Sequence, residues 1–124
     1  MKTAERPPHD ALDRLFHEPR RFAIVSALCA ADAGLSFTEL KETCGLTDGN
    51  LNRHLRVLES AGALRIHKTF VGLRPRTTAT LTRAGLSRFN AYLDALSDVL
   101  QAARNALPER AAAPASARPA PAHA

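Results

Sequence analysis

The chain has 124 residues, which is enough for one domain with a core of ordinary size. Hydrophobic residues make up 45% and charged residues 23%, as in a globular protein, and no apolar run approaches the roughly 18 residues that would predict a membrane span. The net charge is +5, but residues 49–88 alone hold eight basic side chains and one acidic one, so the remainder carries −2. A positive charge concentrated in one segment indicates a face that binds a polyanion. Charge by itself does not distinguish DNA from RNA or an anionic lipid, or from a surface that only keeps the protein soluble.

The N-terminal part of the chain predicts a flexible start and two helices. Residues 1–9 are expected to be flexible, and they lack the apolar segment of a secretory signal, so we expect a cytoplasmic protein. A short amphipathic helix over residues 10–17 is predicted by three apolar side chains, Leu12, Leu15 and Phe16. Pro19 suits the first turn of a longer helix that runs to about residue 31, and Gly34 is its natural stop.

Two shorter helices are predicted next, each with its own N-terminal cap. Ser36, with Glu39 three residues later, forms a capping box that opens a helix over residues 37–43. Thr47 caps a helix over residues 48–61. Because a tight glycine-containing turn joins the two, the pattern predicts a helix-turn-helix, in which the second helix reads DNA.

The period of the sequence then changes from helical to two, which predicts a β-hairpin. We expect strands over residues 64–70 and 76–81, joined by a loop over residues 71–75. Arg74-Pro75-Arg76 is interpreted as the tip, where proline stiffens the loop and the arginines reach a minor groove or the phosphate backbone. An ordinary soluble hairpin turn is the alternative. A hairpin directly after a helix-turn-helix is typical of a wing.

A long helix and a tail complete the chain. Thr82 caps the helix. Its apolar residues recur at alternating steps of three and four, and such an apolar seam is typical of a helix that packs against a partner helix. The predicted dimerisation contacts of this seam are Leu86, Phe89, Leu93, Leu96 and Leu100, with help from Leu12, Leu15 and Phe16. Residues 108–124 hold eight alanines and four prolines and are expected to be a disordered tail. The fold class is therefore mainly α with a small β-hairpin (α+β): a winged helix-turn-helix over residues 10–107 with a long C-terminal dimerisation helix.

The helix over residues 48–61 carries the strongest functional signal. Leu51, Leu55 and Leu58 cluster on one face and must point to the core, so glycine, arginine and asparagine point away from it. Arginine pairs with guanine and asparagine with adenine in the major groove, and Gly49 would let the backbone approach DNA closely. An ordinary solvated polar face is the alternative. The predicted DNA-binding residues are Thr47, Gly49, Asn50, Asn52, Arg53, Arg56, Lys68, Arg74 and Arg76.

The remaining reactive side chains predict neither a metal site nor a cofactor. Cys29 and Cys44 form no CxxC pair and follow apolar neighbours, so we interpret both as buried small hydrophobes, with redox sensing as the alternative. His54 lies at the border of the buried face, where packing or a phosphate hydrogen bond is expected, and His67 points outward. Neither histidine has a partner at metal-ligand spacing.

Several segments together resemble the winged-helix regulators of the MarR- and ArsR-like superfamily. Residues 51–64, which begin Leu-Asn-Arg-His-Leu-Arg, are similar to the recognition helix and following strand, and residues 17–25 to the opening helix. Residues 72–77 and 81–85 resemble the wing and the start of the last helix. The resemblance implies a homodimer that binds a near-palindromic operator in double-stranded DNA, usually as a repressor. Ser36-Phe37-Thr38 stands where metal-sensing members carry paired cysteines, so metal sensing is not implied and any small-molecule effector is unknown.

Two other classes of function compete with this interpretation. A winged helix can serve as a protein-interaction module, with the basic face meeting an acidic protein partner. An enzyme is the weaker rival, since the sequence has no glycine-rich phosphate loop, no metal cluster and no paired acids with a motif around them. We therefore predict a DNA-binding regulator that is not an enzyme.

Overall fold

The computed structural model describes residues 8–109. A short 3₁₀ helix at Pro8–Ala11 precedes four helices and three strands, in the order α1 (Pro19–Cys29), β1 (Leu35–Ser36), α2 (Phe37–Cys44), α3 (Asp48–Ser60), β2 (Leu64–Val71), β3 (Arg74–Leu81) and α4 (Arg83–Ala106). The predicted α+β class, with a hairpin after two short helices and a long last helix, is confirmed. Most of the expected flexible start and disordered tail lies outside the described residues.

The helix predicted over residues 10–17 is wrong. The 3₁₀ helix already includes residues 8 and 9 and ends at Ala11, and turns follow. The Asp13 side chain accepts a hydrogen bond from the backbone N–H of Leu15 at 3.0 Å, and its carbonyl accepts from Phe16 and His17. An aspartate that bonds its neighbouring backbone offers the chain an alternative to the helix, which explains the turn.

The core lies between the helices and the inner face of the sheet. α1 contributes Ile24, Val25 and Leu28, all buried. An aromatic cluster connects the N-terminal segment to α4: the ring centroid of Phe16 lies 5.1 Å from that of Phe89 in an edge-on arrangement. The remaining buried apolar side chains are Leu40, Leu51, Leu55, Leu58, Ala63, Leu64, Ala79 and Tyr92.

The sheet has three strands in the order β1-β3-β2, all antiparallel. β1 was not predicted, because two residues are too short to show alternation. It pairs Leu35 with Ala79, and Gly34 just before it adopts a φ of 87°. A Cβ on Gly34 would lie 2.4 Å from the carbonyl oxygen of Ala79. Only glycine therefore fits where the chain enters this edge.

The hairpin turns at Gly72-Leu73, which corrects the predicted loop over residues 71–75. The ladder runs without a break from Leu64–Leu81 to Val71–Arg74, so Arg74 begins β3 and Pro75 pairs with Phe70 inside the strand. The arginines are therefore not the tip, and proline does not stiffen a loop. Pro75 is tolerated because β1 ends at Ser36, opposite Thr78, and leaves this edge of β3 open.

α4 begins directly against the start of β2. The Thr82 hydroxyl accepts a hydrogen bond from the Gly85 N–H at 2.9 Å and donates one to the Gly62 carbonyl at 2.6 Å. A Cβ on Gly85 would lie only 2.0 Å from the Ala63 carbonyl oxygen. The predicted cap is confirmed, and the glycine two residues into the helix is what allows this close approach.

The residues of the predicted dimerisation seam divide into three sets. Phe16 and Phe89 are buried in the core of the same chain, so their assignment to a partner interface is wrong. The second set, Leu12, Leu15 and Leu96, is half-buried and packs against this core. Leu86, Leu93 and Leu100 are exposed. Some apolar residues of α4 thus pack in the core of the same chain, and others are exposed. Their spacing in the sequence does not distinguish the two groups.

The interpretation of both cysteines as buried was wrong for Cys29, which is exposed, whereas Cys44 is half-buried against the core. Cys29 is the last residue of α1, and it lines a surface groove together with Leu86 and Leu93 of α4. Desolvation raises the pKa of both thiols, which disfavours the reactive thiolate.

Candidate nucleic-acid interface

The second helix of the helix-turn-helix, α3, is held by its cap and by its leucine face. The Thr47 hydroxyl accepts a hydrogen bond from the Asn50 N–H at 3.2 Å, as predicted for the cap. Leu51, Leu55 and Leu58 are buried. The Lys41 ammonium lies 2.8 Å from the Asp48 carboxylate and joins α2 to the first turn of α3. The cap and the buried face together set the direction in which α3 presents its polar side.

That polar side, which we call the recognition face, consists of Gly49, Asn52, Arg53 and Arg56, all exposed. Asn50 differs from them because it is half-buried, and its side-chain oxygen accepts from the Arg53 guanidinium at 3.4 Å. Apart from its chain neighbours and the backbone of its own helix, nothing lies within 4 Å of the position where a Cβ on Gly49 would stand, so the backbone at the start of α3 is open to a ligand. Two arginines and an asparagine on one open helix face are suited to reading base edges.

His54 belongs to the interior of the protein and not to this face. It is buried, and its Nδ1 lies 3.1 Å from the Arg21 guanidinium, which can only donate. The Glu18 carboxylate lies 4.0 Å from the same nitrogen, and the buried Nε2 has no hydrogen-bond partner among the described residues. Of the two expectations for His54, packing is the one the structure supports, since phosphate cannot reach it.

Arg21 is a structural residue that the sequence did not single out. Its guanidinium also donates to the carbonyl oxygens of Leu15 at 2.6 Å and Arg14 at 3.2 Å. It therefore joins α1 to the N-terminal turn and to α3. No local sequence pattern predicts this structural role of Arg21, because its hydrogen-bond partners lie six, seven and 33 residues away in sequence.

The three basic residues predicted for the wing lie on two faces of the hairpin. Side chains alternate across a strand, so Arg74 and Arg76 share the outer face with Val71 and Thr69, their partners in the ladder. Lys68 lies on the opposite face, which continues the core side of the sheet. The wing therefore presents positive charge on both sides.

Two of the eight basic residues counted between residues 49 and 88 are bound to carboxylates. Arg76 lies 3.1 Å from Glu39, and Arg88 donates two hydrogen bonds to Asp13. Burial would raise the pKa of Asp13, but the Arg88 hydrogen bond and the Leu15 N–H bring it below its usual value. The local charge excess that a ligand meets is consequently smaller than the sequence count.

The apex of the hairpin is apolar, which the sequence analysis missed. Phe70, Val71 and Leu73 are exposed around Gly72. The signal was present, since a glycine followed by one residue between two strands indicates a two-residue turn of type II′. The predicted tip, Arg74-Pro75-Arg76, begins directly after this turn.

Two short helices at a glycine turn, followed by a hairpin with an open basic flank, define a winged helix-turn-helix domain. Residues 20–100 match the family model described as a winged helix DNA-binding domain, which is well over half of the chain. The chain belongs to this family, and the resemblance to small winged-helix regulators is confirmed.

Known proteins similar to this chain include an uncharacterized protein of Methanocaldococcus jannaschii, 32% identical over 92 residues, which cover 74% of this chain and 96% of that protein. A transcriptional regulator homologue from Pyrococcus horikoshii is 29% identical, with a TM-score of 0.67 over 73% of this chain and 88% of its own. MepR, a transcription regulator of the Staphylococcus aureus multidrug efflux pump MepA, shares the fold at 18% identity, with a TM-score of 0.61 over 84% and 78% of the two chains. A MepR mutant has been solved bound to an oligodeoxyribonucleotide. The family is that of winged helix DNA-binding domains, and the fold is one that transcription regulators share.

Within residues 8–109 no helix is both long enough and apolar enough to cross a membrane.

Proposed function

We propose that the protein is a homodimeric repressor that binds a near-palindromic operator in double-stranded DNA. The observation that carries the proposal is the recognition face: Arg53, Arg56 and Asn52 are exposed on the capped second helix of a helix-turn-helix. Arg53 and Arg56 supply guanine or phosphate contacts in the major groove, and Arg74 supplies a phosphate contact from the wing. Thr47 and Asn50 contribute through the backbone at the helix start, since their side chains bond within the protein.

The exposed leucines of α4 support the dimer. Leu86, Leu93, Leu100 and Leu107 are all exposed and follow one another at seven-residue intervals, so they form one stripe along the helix, which we call the leucine stripe. α4 has 24 residues and spans about 36 Å, whereas the apolar residues that pack on the core end at Leu96. The second half of α4 thus has an apolar side that a second copy of α4 covers in the dimer we propose.

A two-fold symmetric dimer would account for a near-palindromic operator and for repression. Two recognition helices in successive major grooves lie about 34–36 Å apart, which requires a two-fold related pair of half-sites. A dimer across such a site would prevent polymerase from occupying it, which is how the protein would repress. A repressor works where the DNA is, so the protein would act in the cytoplasm.

The test is selection of bound fragments from random duplex DNA by the purified full-length chain, followed by salt titration of the best fragment. The expected result is a two-fold symmetric site whose preference over random DNA persists as salt rises. Binding that is equal for all duplexes and vanishes with salt would contradict sequence specificity. It would favour the rival function, in which the basic face meets an acidic protein.

A further inference from the structure

The apex of the β2–β3 hairpin exposes three large apolar side chains within four residues. Phe70 is 68% exposed, Val71 59% and Leu73 98%. In the rest of residues 8–109, exposed large apolar residues lie seven apart on α4 or singly. Phe70 and Val71 lie on opposite faces of the hairpin and Leu73 lies in its turn, so the three side chains surround the apex. A cluster of exposed apolar side chains on a small protein marks a contact surface. The apex is therefore a candidate surface for contact with another molecule.

The apex is held in one orientation by its turn. Gly72 has a φ of 64°, and no non-glycine residue in the described chain has a positive φ, so Leu73 does not. This pattern is that of a type II′ turn, whose twist matches the strands on either side. The ladder closes immediately behind it at Val71–Arg74. Leu73 thus projects from a rigid end, and little conformational freedom is lost when it binds.

The length of the hairpin suits a neighbouring groove of DNA. The pairing of β1 with β3 ends at Thr78, and four residue pairs, from Lys68–Thr77 to Val71–Arg74, extend beyond it. At about 3.4 Å per residue this arm projects about 14 Å before the turn. A helical turn of DNA measures about 34–36 Å, so the groove next to the one that holds α3 lies about 17 Å away. The arm together with its turn is therefore comparable in length to this spacing.

The charge around the apex selects a polyanion as the partner. Residues 64–81 contain no acidic residue, and Lys68 and Arg74 flank the apex on its two faces. Phosphates border the minor groove on both sides, and its walls are apolar deoxyribose. The groove is about 6 Å wide, so a single leucine side chain enters it whereas a helix does not.

We propose that Leu73 enters the minor groove of the bound duplex as an apolar wedge. Phe70 and Val71 contact the sugar walls, and Arg74 binds a flanking phosphate. An apolar wedge partly unstacks a base step and widens the groove, and this deformation costs least at pyrimidine–purine steps. The wing therefore reads the flexibility of the flanking sequence without hydrogen bonds to its bases. This inference rests on the proposed DNA-binding function.

The experiment uses the full-length protein and the duplex recovered by selection, with its flanks changed at the wing position to a TpA step or to an A-tract. Four proteins are compared: wild type, Leu73→Ser, Leu73→Met and Arg74→Ala. A 2-aminopurine at the same step reports unstacking through its fluorescence. Leu73 is almost fully exposed, so Leu73→Ser removes no core contact, and a thermal melt confirms that the variant folds.

Wild type is expected to prefer the TpA flank by about tenfold and to raise the 2-aminopurine fluorescence. Leu73→Ser is expected to bind about tenfold more weakly and to lose both the preference and the fluorescence change, with an unaltered salt dependence. Leu73→Met keeps an apolar wedge and should keep both. Arg74→Ala should keep the preference but reduce the slope of log affinity against log salt by about one.

Two results would overturn the proposal while DNA binding stands. In the first, Leu73→Ser retains wild-type affinity, flank preference and fluorescence, so the apex does not enter the groove. In the second, Leu73→Ser alters self-association in sedimentation but not the affinity per dimer, so the apex is a protein contact. Failure of wild type to bind any duplex is separate, and it would contradict the proposed function itself.

Discussion

The Arg76 guanidinium lies 3.1 Å from the carboxylate of Glu39, 37 residues earlier in the chain. Glu39 also accepts the Ser36 N–H at 2.8 Å, which completes the capping box of α2. The Ser36 backbone N–H, then its hydroxyl and the Arg76 charge, lower the pKa of Glu39. One carboxylate thus caps a helix and holds the wing against the helix-turn-helix.

Replacing Glu39 with glutamine should strengthen DNA binding at low salt. Glutamine still serves as the last residue of a capping box, but it releases Arg76 from its ion pair. We expect the affinity for the selected duplex to rise several-fold and the salt slope to steepen by about one. Glu42→Gln, which removes the same charge from the same helix without touching Arg76, is the matched control. Equal gains in both variants would mean that net charge, and not the ion pair, is responsible.

Arg53→Ala tests the recognition face directly. If Arg53 makes a bidentate contact with guanine, the variant should lose about 1–3 kcal/mol of binding free energy and relax the preference at one base pair of each half-site. Arg104→Ala, in the last turn of α4, removes an exposed arginine far along the chain and should leave the base preference unaltered. Unchanged operator affinity and sequence preference for Arg53→Ala would remove Arg53 from the base-reading set.

Buried His54 predicts a stability that falls as the pH falls below neutrality. Burial lowers the pKa of His54; Glu18 counteracts this in part, and the charges of Arg21, Arg53 and Arg20 lower it further. The unfolded chain takes up a proton near pH 6.5, while the folded chain still holds the neutral ring. The unfolded state therefore binds more protons below this pH, and the free energy of unfolding should drop by up to about 1.4 kcal/mol per pH unit.

Urea unfolding between pH 7.5 and 5 measures this effect. His54→Gln, which keeps an acceptor for Arg21 but does not titrate, should flatten the dependence in this range. His67→Gln, the same substitution at an exposed histidine, is the matched control. Asp13, Glu18 and Glu39 have pKa values below their usual 3.8–4.5, so their contributions are lost only at lower pH. A His54→Gln variant with the wild-type pH dependence would contradict the assignment.

Two glycine-to-alanine changes should have opposite effects on stability. Gly85→Ala places a methyl group against the Ala63 backbone, which cannot yield like a side chain, and should lower the free energy of unfolding by at least about 1–3 kcal/mol. Gly49→Ala meets nothing and improves helix propensity, so it should raise stability by up to about 1 kcal/mol. Thermal melts compare the two variants. The methyl group of Gly49→Ala stands on the recognition face, so DNA affinity should fall although stability rises.

The leucine stripe predicts that one charge on α4 separates the dimer. Leu93→Glu should shift the protein to a monomer in sedimentation and weaken operator binding at low protein concentration, because a carboxylate in an apolar seam is left without a partner. Its thermal melt should retain a cooperative transition, since Leu93 is exposed in the single chain. Asp94→Glu, at the adjacent exposed position, is the control. A Leu93→Glu protein that still sediments as a dimer would place the interface elsewhere.

Local features of the sequence were sufficient to predict the helix-turn-helix, the hairpin and the long last helix. The capping box at Ser36, the cap at Thr47 and the cap at Thr82 act through residues at most three positions away, so the sequence contains the whole interaction. The exposed face of α3 followed from the period of its leucines for the same reason. Asp13 shows the limit, because its bond to the Leu15 N–H replaced a helix that the apolar spacing favoured.

Only the tertiary structure decided which residues of these patterns remain free. Phe89 and Leu93 occur in one apolar seam of the sequence, yet Phe89 packs on Phe16 in the core and Leu93 is exposed. Arg53 and Arg76 were both predicted to contact DNA. Arg76, however, forms an ion pair on the protein surface with Glu39, which is far away in sequence. Spacing gives the face of an element on which a side chain lies. Which residues from other parts of the chain contact that face depends on the tertiary packing, and no local sequence pattern contains this information.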